Sequence, residues 1–378
     1  MDTLDQPLTF PHWMLQEIHQ QPEALRLTLT HYVENGKFRE ETNAAAREWL
    51  GNPSREILIA ASGSSRHAGM VAELLFEEFS DIAVDVEYAS EYSLRGDRGI
   101  KDAAVLVISQ SGETADTLAA LRRAQRAGQR TMAVTNVPTS SMAKEATVSY
   151  PTLAGRERAV PATKSFTCQL LVLQLLALLA AEARGTMTPE EITAQLRQLE
   201  ALPAIIEQNL AGWQKTAEKI ATANKPYANF LFLGRGLHYP IAREGALKLK
   251  ESSYLHAEGY PSGELKHGPN ALVSDQTPLA MIATVDRNAP DSVERYEKTI
   301  QLMKDMKAQG AKIVCTANAG DEEAASLSAQ TFFVPALSEA VLPFAEVIAY
   351  QFFSYFMAIQ ADINVDQPRN LVKAVVVE

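Results

Sequence analysis

At positions 109–114 the apolar run AVLVI gives way to SQSGET, which sets Ser109, Gln110, Ser111 and Thr114 side by side. The pattern predicts a buried strand ending at Ile108 and a helix starting near Glu113. Such a junction suits an anion: free backbone N–H groups at a helix start carry partial positive charge, and hydroxyls add donors to phosphate oxygens. Gly112 would admit a ligand close to the backbone. The other reading is that Ser111 merely caps the helix. The turn also falls at the carboxyl end of a sheet strand, where open α/β sheets place their ligands. A similar turn, SGSSR at 62–66, places Ser65 towards the same crevice.

Two further segments could carry chemistry. In REGALKLKESSYLHAEGYPSGELKHGP (243–269), Glu244, Lys248 and Glu251 are spaced to share one helix face, either as a solvated charge stripe or as part of a site. The Gly- and Pro-rich stretch that follows reads as a loop holding His256, Glu258, Glu264, Lys266 and His267, and polar loops often carry function. His267 is either a general acid/base or a solvated loop histidine. The chain end, DQPRNLVKAVVVE, has Leu371, Val372 and three valines around Lys373, a composition that predicts burial. An amine in such surroundings serves as nucleophile or imine former, unless it snorkels to solvent.

These segments need a scaffold. A chain of 378 residues is long enough for two domains. Apolar periodicity through Trp13, Met14, Ile18, Leu25, Leu29 and Val33 predicts a helical lead-in over 1–45. Strand-like runs at 57–61, 84–88, 103–108, 131–135 and 148–150 alternate with helical segments, giving a parallel sheet covered by helices over 46–190, the phosphate-binding domain. A long apolar helix over 163–182 and a helical hairpin lead through a connection at 191–225. Strand-like runs at 230–233, 279–285, 312–316 and 331–334 and a last helix over 339–360 make a second α/β domain over 226–365. A tail at 366–378 would close the site. ILIAASGSSRHAGMVAELLF and FLFLGRGLHYPIAREGALKL both enter a helix through a glycine turn, which suggests duplication.

Composition excludes several classes. The net charge of −11, without a basic cluster, argues against nucleic acid. Cys168 and Cys315 stand far apart in apolar stretches, so neither a disulfide framework nor a metal site is expected. The start MDTLDQPLTF lacks the pattern of a signal peptide, and LLVLQLLALLAA (170–181) is too short for a membrane span. A cytoplasmic protein without membrane contact is expected.

Taken in order, HWMLQEIHQQP, SQSGETADT, LGRG, EGALKLKE, GELKHGP and DQPRNL resemble the isomerase half of glutamine-fructose-6-phosphate amidotransferase, the glucosamine-6-phosphate synthase family. That resemblance implies two tandem sugar-isomerase (SIS) domains, each a flavodoxin-like three-layer sandwich. Carried over by position, it implies phosphate binding by Ser109, Gln110, Ser111 and Thr114, and sugar contacts from Ser65, Glu157, Val160 and Ala162. It further implies proton transfer between C1 and C2 by Glu251 with Lys248 beside it, and ring opening by His267 supplied from the other subunit of a homodimer. Lys373 would form an imine with the keto sugar or close the site. No cofactor and no metal are implied.

Three positions depart from the family. Arg66 stands where the synthases usually have Tyr, and Ala162 where they usually have Ser. Asp2 stands where their glutaminase domain has its nucleophilic Cys. The resemblance therefore implies that glutamine is not the ammonia source on this chain. The expected activity is a glucosamine-6-phosphate deaminase, releasing ammonia and fructose 6-phosphate. Its rivals are an ammonia-dependent synthase, a phosphohexose isomerase, and a non-catalytic phosphosugar-binding regulator.

Overall fold

Apolar runs bounded by glycine turns form buried parallel strands, as both-face burial requires. The structure, a computed structural model, describes residues 4–51, 56–95 and 103–376; Asp2 and Val377 lie outside them. The lead-in comprises α1 (Trp13–His19), α2 (Gln21–Tyr32), a short antiparallel pair β1 (Val33–Glu34) and β2 (Lys37–Phe38), and α3 (Glu40–Gly51). Then come β3 (Glu56–Ala61), α4 (Gly63–Ser80), β4 (Ala83–Tyr88), α5 (Ala89–Leu94) and β5 (Ala104–Ser109). Completing the first sheet are α6 (Ala115–Arg126), β6 (Thr131–Thr135), α7 (Ser141–Glu145) and β7 (Val148–Ser149). All five strands are parallel, in the order β4-β3-β5-β6-β7.

Two long helices, α8 (Lys164–Arg184) and α9 (Pro189–Asn224), lead to the second sheet. Its elements are β8 (Asn229–Gly234), α10 (His238–Ser253), β9 (His256–Pro261), β10 (Leu279–Ala283), α11 (Pro290–Ala308), β11 (Ile313–Asn318), α12 (Glu322–Leu327), β12 (Gln330–Val334) and α13 (Leu342–Ile359). The order β12-β11-β10-β8-β9, again parallel, repeats the first sheet strand for strand. The α/β class and the tandem duplication expected above are what the chain adopts. Helix α4 packs on both α8 and α10, so the first helix of one domain lies against the first helix of the other.

Helices α8 and α13 are long and apolar enough to cross a membrane, yet 89% and 94% of those windows are buried inside the fold.

Three expectations need correction. The predicted helical hairpin before residue 225 is one 36-residue helix, α9, which carries Pro203 within it. The predicted loop after α10 begins as strand β9, an edge strand paired in parallel with β8. Gly259 and Pro261 look like breakers, but a Cβ at Gly259 would lie 2.6 Å from the Arg243 Cα, so glycine is what lets β9 dock on α10. Among the described residues, the tail does not bury its valines. Val372 is 65% exposed, and Val375 and Val376 are also exposed. The tail is held instead by backbone hydrogen bonds and by Lys373: Ala115 N–H donates to Val375 O (2.9 Å) and Val160 N–H to Asp366 O (2.9 Å).

Candidate active site

At the carboxyl ends of β3 and β5, faced by α10 and the C-terminal tail, lies a cavity of about 170 Å³. Ser109, Gln110, Ser111 and Thr114 form one wall. The Ser109 and Thr114 hydroxyls stand 2.9 Å apart, and the Ser109 Oγ accepts from Gly112 N–H at 3.1 Å. Ser111 does not cap the helix, which begins at Ala115; its Oγ accepts from Glu113 N–H at 3.1 Å within the turn. Gly112 serves packing rather than ligand approach. Its φ is +67°, and a Cβ there would lie 2.1 Å from the Ser140 Oγ.

Across the cavity, α10 presents Lys248 and Glu251, while Ser65, Val160, Ala162 and Lys373 line the remaining sides. The Ser65 Oγ accepts from the Gln169 amide at 3.0 Å. Lys248 is buried and donates to the Glu251 carboxylate. The same ammonium lies 3.5 Å from Glu244, whose carboxylate is wholly buried and accepts from the Ser64 hydroxyl at 2.8 Å. His67 Nδ1 meets the other Glu244 oxygen at 2.7 Å. The stripe on α10 is therefore an internal network, packed against α4. Burial opposes charge on Glu244, but the Lys248 ammonium and His67 outweigh it and hold the carboxyl below its ordinary range. Burial likewise opposes charge on Lys248, and Glu251 and Glu244 outweigh it, so the ammonium form persists above its usual range.

Glu157 does not line the cavity. Its carboxylate lies behind Lys373, which donates to it, and it also accepts from Thr163 N–H (2.9 Å), Ser165 N–H (3.1 Å) and the Ser165 hydroxyl (2.6 Å). Burial pushes this carboxyl up, but Lys373 and those donors bring it to about 2. Lys373 is thus positioned by an ion pair rather than by the apolar surroundings that composition suggested. Glu17, from the lead-in, is the neighbour that sequence reasoning missed: burial, with Glu157 adding to it, raises its carboxyl to about 8.

His267 is exposed, on a 3₁₀ turn (Ser262–His267), and is not among the cavity's residues. Arg66 stacks on Tyr88 at 3.9 Å and is not among the residues that line the sugar cavity. Ala162 does line it. Ser64 and His67 went unread, although SGSSRH places both on the first turns of α4. Among the described residues no group of three or more His, Cys, Asp or Glu is placed to hold a metal ion.

The SIS domain family model matches residues 52–179 and 227–361, and the chain belongs to that family. It is 43% identical over 370 residues to a glutamine–fructose-6-phosphate aminotransferase (isomerizing) of Bradyrhizobium diazoefficiens, and 42% identical over 379 residues to that of Chlorobaculum tepidum. In both cases 98% of this chain aligns with 59% of the relative, so the chain spans well under two thirds of their length. The C-terminal domain of glucosamine-fructose-6-phosphate aminotransferase from Francisella tularensis superposes with a TM-score of 0.88 at 34% identity, covering 95% of this chain and 99% of that one.

Proposed function

We propose that the chain is a glucosamine-6-phosphate deaminase, converting glucosamine 6-phosphate and water to fructose 6-phosphate and ammonia. The observation that carries this reading is the Glu251–Lys248 ion pair facing the hydroxyl-lined turn across one small cavity. A 6-phosphate seated on Ser109, Gln110, Ser111 and Thr114 leaves the sugar's C1 and C2 towards α10. Glu251 takes the C2 proton of the open-chain aldose and returns it at C1, while Lys248 fixes the carboxylate's position. The resulting fructose imine adds water, and ammonia leaves. Lys373, held by Glu157, closes the sugar end or forms an imine with the ketose. Ser65, Val160 and Ala162 contact the sugar. His267 of the partner subunit opens the ring, which makes the working unit a homodimer, and the setting is the cytoplasm.

The names of the relatives favour a second reading, the same chemistry run towards glucosamine 6-phosphate with free ammonium. A regulator that only binds phosphosugar would need the phosphate wall but not Glu251 and Lys248. The test is to incubate the protein with glucosamine 6-phosphate and follow ammonia and fructose 6-phosphate together, then to repeat with fructose 6-phosphate and ammonium. Equimolar release of both products supports the deaminase. Sugar isomerisation without ammonia refutes it.

A further inference from the structure

On the other side of the α4–α10 contact lies a larger crevice, of about 520 Å³, lined by Arg66, Tyr88, Tyr239, Arg243, Lys250 and Glu258 among others. Three cations meet there in a chain of net charge −11. Among the described residues none of the three forms an ion pair with a carboxylate. Arg66 stacks on Tyr88 and donates to the Val86 carbonyl at 3.2 Å, and its buried Nε has no partner. Arg243 is braced by the hydroxyls of Tyr239 (3.1 Å) and Tyr88 (3.2 Å). The acid within the crevice, Glu258, accepts from the Tyr260 hydroxyl. Glu73, behind Arg66, is raised to about 7 by burial and by Glu77 and Asp85, so near neutral pH it is only about half ionised and offsets part of the positive charge. Guanidinium groups held against aromatic rings with N–H donors to spare are suited to phosphate oxygens.

The crevice also touches the network behind the sugar cavity. His67 lines it, and the same ring binds Glu244, which holds Ser64 and Lys248, both lining the sugar cavity. We propose that this crevice is a second ligand site, for a small phosphate-bearing anion, and that its occupancy is felt at the sugar cavity through His67 and Glu244. The coupling half of this proposal rests on the reaction proposed above; the binding half does not.

The test is calorimetric titration of the full chain with inorganic pyrophosphate, in a Ser111→Ala/Thr114→Ala background that disables the phosphate wall of the sugar cavity. The proposal expects one equivalent to bind there, and Arg66→Gln/Arg243→Gln to weaken it about tenfold or more. Repeating the titration with ADP separates a nucleoside-borne phosphate, bound more tightly, from the bare group, bound equally; both support the site. In wild-type protein, pyrophosphate should change kcat at saturating sugar phosphate, where competition at the phosphate wall is suppressed, and Arg66→Gln/Arg243→Gln should abolish that change. Loss of binding in the Ser111→Ala/Thr114→Ala background, or unchanged binding in the arginine variant, overturns the site. An unaltered kcat overturns the coupling. Because the titration needs no turnover, failure of the proposed reaction leaves the site testable.

Discussion

Replacing Lys373 with methionine removes the ammonium that donates a hydrogen bond to the buried Glu157 carboxylate. Glu157 is held at about 2 in the folded chain, against 4.5 for an ordinary glutamate. A depressed carboxyl contributes stability that is fully present above about pH 4.5 and is lost as pH falls towards 2. The depression corresponds to about 3 kcal/mol. Because the lysine side chain is 25% exposed, its loss should cost less, about 2 kcal/mol. At about 2.1 cal/mol/K per residue, that lowers Tm by roughly 2–3 °C at pH 7. Differential scanning calorimetry of wild type, Lys373→Met, Glu157→Gln and the double variant supplies the assay. The gap between wild type and Lys373→Met should narrow as pH falls below 4.5, and the double variant, with no buried charge to strand, should recover most of the loss. A Lys373→Met protein as stable as wild type at pH 7, or a double variant as unstable as the sum of the singles, would refute the reasoning.

Two other substitutions probe the surrounding framework. Gly112→Ala puts a Cβ 2.1 Å from the Ser140 Oγ at a φ of +67°, so it should distort the phosphate wall. It should raise the KM for phosphorylated sugar about tenfold or more, and adding Ser140→Gly should restore part of the loss, as read in steady-state kinetics. Glu17→Gln should become progressively more stabilising, relative to wild type, as pH rises from 5 to 8. Wild-type Glu17, raised to about 8, binds its proton more tightly folded than unfolded, so the native state loses that advantage over this range; thermal melts at both pH values measure it.

What could be read from the sequence depended on whether the signal was local. The strand ending in SQSGET is an apolar run followed by hydroxyls, and both the strand end and the cavity wall are found there. Two strand-helix runs of the same pattern revealed the duplication. Glu244, Lys248 and Glu251 gave only their shared face, because the same spacing serves an exposed stripe or a buried network. What decides is α4 docking on α10, which brings Ser64 to Glu244 across 180 residues. Strand β9 hid behind Gly259 and Pro261 for a similar reason: its pairing with β8 and its close approach to α10 are tertiary. The tail misled in the opposite sense. Its valines suggested burial, whereas a lysine–glutamate pair and two backbone hydrogen bonds hold a largely exposed segment.

The central claim, that Glu251 carries the proton between C1 and C2, is tested most directly by hydrogen exchange in deuterated water. Wild-type protein incubated with fructose 6-phosphate and ammonium should incorporate deuterium at C1, followed by NMR. Glu251→Gln should slow that exchange by about 10²–10⁴-fold while calorimetry shows fructose 6-phosphate still bound with similar affinity. Undiminished exchange in Glu251→Gln would contradict the account.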